Sequence, residues 1–254
     1  MTLLEARSIS KRFGGLQAVK DVSFSVAQGS IKAVIGPNGA GKTTLFNLLS
    51  GFIAPDSGEV LLRGMPVQDL PSHAIATRGL SRTFQHIRLF GGMSALENVM
   101  VGRHVRSRAG FMAGMLNLAW TRAEERDIRD RALDSMEFLG IGQLAHANAS
   151  SLSYGQQRAV ELARSLTSEP EILLLDEPAA GLNMRETADL AVLITKIRDR
   201  GITVLIVEHD MSLVMNISDE VVVLSYGEKI ADNKPLAVQK DPQVVRVYLG
   251  EDEC

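Results

Sequence analysis

The chain has 254 residues, one cysteine, and 27 basic against 30 acidic side chains, for a formal net charge of -3. That length supports one full-sized domain, the balance of charge gives no electrostatic case for a nucleic-acid partner, and a lone Cys254 excludes an intrachain disulfide. The expected setting is a reducing, cytosolic one. The first residues, Met1 to Arg7, meet charge too early for a secretory leader. Because no apolar run reaches the ~18 residues of a membrane-spanning helix, any membrane role is expected to pass through a partner.

In chain order, Val22 to Val26 alternates like a half-buried strand and Ile31 to Ile35 reads as a fully buried one. A glycine-rich loop follows, then a helix over residues 42 to 50 with Leu45, Leu48 and Leu49 on one face and Gly51 as its stop. Glu59 to Leu62 and Leu80 to Phe84 are strand-like. From about residue 94 to 168 helical periodicity dominates, most clearly in Arg122 to Leu139. Strands return at Ile172 to Leu175, Thr203 to Val207 and Glu220 to Leu224, with a helix from Arg185 to Arg200 after the first. This alternation predicts an α/β fold with a doubly wound, mainly parallel sheet.

Three local patterns carry chemistry. Gly36, Pro37, Asn38, Gly39, Ala40, Gly41, Lys42, Thr43 and Thr44 fit the phosphate-binding pattern G-x-x-x-x-G-K-[ST] between a strand and a helix. Glycines let backbone N–H groups converge on phosphate oxygens at a helix N-terminus. Lys42 is expected on the β and γ phosphates, Thr43 on magnesium and Thr44 on the α phosphate. Asp176 and Glu177 then lie at the C-terminal end of a buried strand, where ligands of open α/β sheets bind. Asp176 is expected as an indirect magnesium partner and Glu177 as the general base for the attacking water. Finally, Ser153 reads as the N-cap of a helix running to Leu166, and a helix start attracts anions. The phosphate loop already has its own helix N-terminus, so a second anion site implies a second nucleotide.

The pentad Leu152-Ser153-Tyr154-Gly155-Gln156, placed between that loop and the acidic strand, resembles the signature of ATP-binding-cassette ATPases. The resemblance implies a P-loop NTPase with an N-terminal antiparallel β subdomain and an inserted helical subdomain, the core being residues 1 to 87 and 161 to 254 and the insert 88 to 160. It also implies ATP and Mg2+ as cofactors, and two ATPs sandwiched head to tail between subunits. Ser153, Gly155 and Gln156 would then serve a nucleotide held by the opposite subunit. By the same resemblance Gln85 reaches magnesium and the attacking water, His209 contacts the γ phosphate, and Phe13 stacks on adenine, with core packing as the competing reading of Phe13. Two departures are visible. Tyr154 stands where glycine is commoner in the family, and Asn183, in the loop expected to cross to the other subunit, replaces the commoner aspartate.

Arg82 to Phe90, Glu97-Asn98-Val99, Tyr154 to Arg158, Ala179 to Asn183, Glu208 to Met211 and Val247 to Glu251 together look like the larger ATPase subunit of branched-chain amino-acid importers. That family pairs two ATPase subunits with membrane permeases and an external solute-binding protein, at the cytoplasmic face of the inner membrane. The alternatives are another importer, for urea or amides, a lipid or lipopolysaccharide exporter, and a non-transport cassette. Residues 103 to 120 are expected either to pack within the helical subdomain or to expose an apolar patch to a permease helix.

Overall fold

The computed structural model describes residues 1–85, 87–106 and 119–249. Two sheets share the work. The first is antiparallel, in the order β2-β1-β4-β5, formed by β1 (Thr2–Phe13), β2 (Leu16–Ala27), β4 (Ser57–Leu62) and β5 (Met65–Pro66). The second has the order β10-β9-β3-β8-β7-β6 and holds β3 (Ile31–Ile35), β6 (Leu80–Arg82), β7 (Ile172–Asp176), β8 (Thr203–Val207), β9 (Glu220–Ser225) and β10 (Glu228–Asn233). All its neighbours run parallel except β9 and β10.

Every residue of β3, β7 and β8 is buried, as expected of central parallel strands covered on both faces. Alternate residues feed two cores, because successive strand side chains point to opposite faces. Ala33, Leu173, Leu175, Val204 and Ile206 join one core with Val160, Leu162 and Ala163. Val34, Leu174, Leu205 and Val207 join the other with Leu45, Phe46 and the antiparallel sheet.

The helices are α1 (Lys42–Leu49), α2 (Ser72–Thr77), α3 (Ala95–Val101), α4 (Ala119–Phe138), α5 (Tyr154–Thr167), α6 (Met184–Asp199), α7 (Met211–Ile217), α8 (Pro235–Gln239) and α9 (Pro242–Leu249). α3, α4 and α5 pack on one another and supply the expected helical region. α5 runs unbroken through residue 160, so no element ends at that expected boundary. Three strands lie outside those expected from the sequence, β1, β5 and β10. At the start of the 103–120 stretch, Arg103 pairs with Glu169 and Arg106 donates to the carbonyls of Ser168 and Glu169 at the end of α5. Residues 107–118 lie outside the described residues, and with them most of the segment expected either to pack within the helical subdomain or to expose an apolar patch.

Candidate active site

β3 delivers the chain into the loop of residues 36 to 41, which closes on the first turn of α1. Glycine is required at two of its positions. A Cβ on Gly36 would come within 2.2 Å of the Leu224 carbonyl oxygen, and one on Gly41 within 2.3 Å of the Ala18 oxygen, both at positive φ. The Lys42 ammonium donates to the carbonyls of Gly36 (2.6 Å) and Pro37 (2.9 Å). Burial lowers its pKa, with Glu177 and Asp176 pulling the other way.

Beside this loop lies a cavity of about 460 Å³, walled by Leu16, Gln17 and Ala18 of β2, residues 38 to 44, Gln85, Glu177 and Tyr226. Thus Asn38, Gly39, Ala40, Gly41, Lys42, Thr43, Thr44, Gln85 and Glu177 share one cavity. Glu177 sits at φ 47, just past the end of β7, with its N–H donating to the Val207 carbonyl. Gln85 Nε2 donates to Glu177 Oε2 at 2.8 Å. Its side chain, expected on magnesium, therefore engages the carboxylate expected to act as base.

Asp176 is the last residue of β7. It is buried, and its Oδ2 accepts from Arg82 Nη2 at 2.8 Å, because a buried carboxylate needs a partner. The same guanidinium donates to Asn47 Oδ1 and Ser50 Oγ and lies against the Phe46 and Phe84 rings. Arg82 had no assigned role from the sequence; a cation at the end of β6, next to the strand bearing Asp176, was the signal.

His209 and Phe13 do not line the cavity. The His209 side chain is 65% exposed and its Nδ1 lies 3.9 Å from Glu208 Oε2. Phe13 is 49% exposed at the end of β1, with the Lys11 ammonium 5.9 Å from its ring centre. Glu208, given no role of its own by the sequence, is fully buried and accepts from the N–H groups of Ala179 (2.7 Å) and His209 (3.1 Å). It stitches the turn after Glu177 to the turn carrying His209, and burial raises its pKa.

Ser153 caps α5 as expected. Its Oγ accepts from Gln156 N–H, and Gln156 Oε1 accepts from Ser153 N–H, a reciprocal capping box. With Gly155 these residues line a separate groove between α5 and α6. Gly155 sits within the helix, and a Cβ there would lie 3.1 Å from Glu186 Oε1. Asn183 caps α6 in the same reciprocal manner with Glu186, a task an amide oxygen performs as an aspartate would.

One α5 side chain joins the signature to the cavity. Arg158 is buried and donates to the carbonyls of Phe84 and Gln85 (both 3.0 Å), to Glu161 Oε2 (3.0 Å) and to the Tyr154 hydroxyl (3.3 Å). The Tyr154 ring in turn packs on Gly181, where a Cβ would sit 3.1 Å from it.

A phosphate loop, a carboxylate on its cavity and a capped signature helix are the parts of one family, and its profile, described as ABC transporter, matches residues 19–180. The chain belongs to the ABC transporter family. Over 98% of both chains it is 46% identical to the high-affinity branched-chain amino acid transport ATP-binding protein BraF of Pseudomonas aeruginosa. It is 35% identical to the lipopolysaccharide export system ATP-binding protein LptB of Escherichia coli, over 99% of both chains. Among solved structures, the ADP conformation of an ATP-binding cassette from an ABC transporter superposes with a TM-score of 0.86 at 32% identity, covering 98% and 99% of the two chains. A dimeric, post-hydrolysis cassette bound to ADP and phosphate gives 0.77 at 25% identity, covering 92% and 99%. As a member of the ABC family the chain is a P-loop ATPase that binds nucleotide.

Proposed function

We propose that this ABC ATPase is the motor subunit of a membrane importer for branched-chain or related amino acids. The observation that carries the proposal is 46% identity over 98% of both chains to a branched-chain amino acid transport ATP-binding protein, against 35% to the export subunit. Its partners are a second ABC ATPase subunit, membrane permeases and, indirectly, an external solute-binding protein. Its place is peripheral, at the cytoplasmic face of the inner membrane; among the described residues no helix is long and apolar enough to cross one. Residues 88 to 160 act as a helical subdomain against the nucleotide-binding core.

At the cavity, the N–H groups of residues 36 to 44 and the Lys42 ammonium hold the phosphates of ATP. The Glu177 carboxylate takes the proton of the attacking water as that water bonds to the γ phosphorus, and ADP leaves. Gln85, already hydrogen-bonded to Glu177, orients the water. His209 reaches the γ phosphate when its exposed side chain turns toward the cavity, and Phe13 lies against adenine. Mg2+ fits the residues present: the Thr43 hydroxyl and Gln85 amide oxygen are hard oxygen donors beside the phosphate loop, with Asp176 just behind, and this cation takes few protein ligands when phosphates supply the rest. When bound it neutralises charge on the β and γ phosphates.

The groove holding Ser153, Gly155 and Gln156 shares none of these with the Lys42 cavity, which supports their serving a nucleotide on another chain. Copurification of the membrane-assembled complex, with identification of its permeases and retained solute, tests the proposal. A branched-chain amino acid with permeases is the expected result; isolation without any permease contradicts it.

A further inference from the structure

β9 and β10 are joined by a two-residue loop, Tyr226-Gly227, in a hairpin that pairs Ser225 with Glu228. Both loop residues have positive φ, 47° and 82°. A tight hairpin of this kind favours Asn-Gly or Gly-Gly, and a tyrosine resists that backbone. The ring recovers none of that cost through packing, since Tyr226 is 82% exposed.

The loop itself is held firmly. Gly227 N–H donates to the Ala40 carbonyl (3.1 Å), and its own carbonyl accepts from Lys20 N–H (2.8 Å). The tip of the hairpin is thereby fixed to the phosphate loop, with Tyr226 on the wall of the same cavity. Leu16, also largely exposed, stands on that wall too. A cavity walled both by phosphate donors and by two solvent-facing side chains with apolar surface suits a ligand that joins an anionic part to a flat, apolar one.

We infer that Tyr226 is a nucleoside-contact residue, its ring packing against the base end of the nucleotide whose phosphates Lys42 holds. The inference rests on nucleotide binding at this cavity. It adds a contact that neither the phosphate loop nor Phe13 supplies.

The test measures binding of Mg-ATP and of inorganic Mg-tripolyphosphate to the full chain, as wild type, Tyr226→Asn and Tyr226→Phe, alongside thermal melting. Asparagine suits the turn, so Tyr226→Asn is expected to melt higher than wild type while its Kd for ATP rises about tenfold, as loss of aromatic stacking on a base does. Its Kd for tripolyphosphate stays unchanged, and Tyr226→Phe binds ATP like wild type. Wild-type affinity for ATP in Tyr226→Asn, or a parallel loss of ATP and tripolyphosphate, overturns the contact. A wild-type chain that binds neither ligand overturns the nucleotide site itself and the contact with it.

Discussion

The side-chain amide of Gln85 donates to the carboxylate of Glu177 across 2.8 Å, while the backbone carbonyl of the same Gln85 is gripped by Arg158 from the signature helix. Two segments expected to serve different nucleotides thus meet on one residue. Replacing Glu177 with Gln is expected to preserve ATP affinity and lower turnover by roughly 10² to 10⁴, the usual contribution of a positioned general base. Equilibrium binding together with steady-state hydrolysis measures both, and an undiminished rate would remove Glu177 from the base role.

Arg158 and Glu161 form a buried pair, with Arg164 as a second cation 3.7 Å from the Glu161 carboxylate. Removing Arg158 leaves the buried Glu161 with Arg164 alone, at a cost of up to about 3 to 5 kcal/mol. Arg158→Ala should therefore melt well below wild type, and the double replacement Arg158→Leu with Glu161→Leu should melt above the single variant. Equal melting of the single and double variants would show that the pair is not what holds this region.

The Arg82–Asp176 pair, buried on both sides, makes a companion case. Arg82→Ala is expected to destabilise by about 3 kcal/mol or more, because Asp176 loses its cation in a dry environment. Arg82→Lys should recover only part, since one ammonium cannot span Asn47, Ser50 and Asp176 as the fork does. Chemical denaturation of the three proteins measures this; full stability in Arg82→Ala contradicts it.

Glu208 gives a pH dependence with a definite sign. Burial holds its pKa above the ordinary carboxylate value, so its favourable share of stability is present at low pH and is lost as pH rises through the raised value. Glu208→Gln does not titrate. The variant should gain stability relative to wild type as pH rises through that window, measured as the difference in Tm between the two, and a difference that stays flat would contradict the assignment.

The central strands were legible because parallel strands buried on both faces leave continuous apolar runs such as Ile31 to Ile35. β1 was not: its pairing register shifts repeatedly along Thr2–Phe13, and Ser8 takes a positive φ, so no clean alternation survives. β10 pairs on one side only, and its mixed sequence carries little apolar signal. At the site, the phosphate loop and Glu177 could be read because each is a local pattern. The contacts of Arg82 with Asp176, 94 residues away, and of the Tyr226 hairpin with Ala40 are made only by the fold. Asn183, the residue that departs from the commoner aspartate, caps α6 within its own chain, a contact that only the fold reveals.

The proposed role of Ser153 and Gly155, completing a site on another chain, requires that one chain alone bind ATP without turning it over efficiently. ATP turnover per mole of chain, followed from high dilution to high concentration and then in the permease-assembled complex, tests this most directly. The expected result is saturable ATP binding with negligible turnover at high dilution and a per-chain rate that climbs on association. A per-chain rate that is constant at every dilution and equal to that of the assembled complex would contradict it.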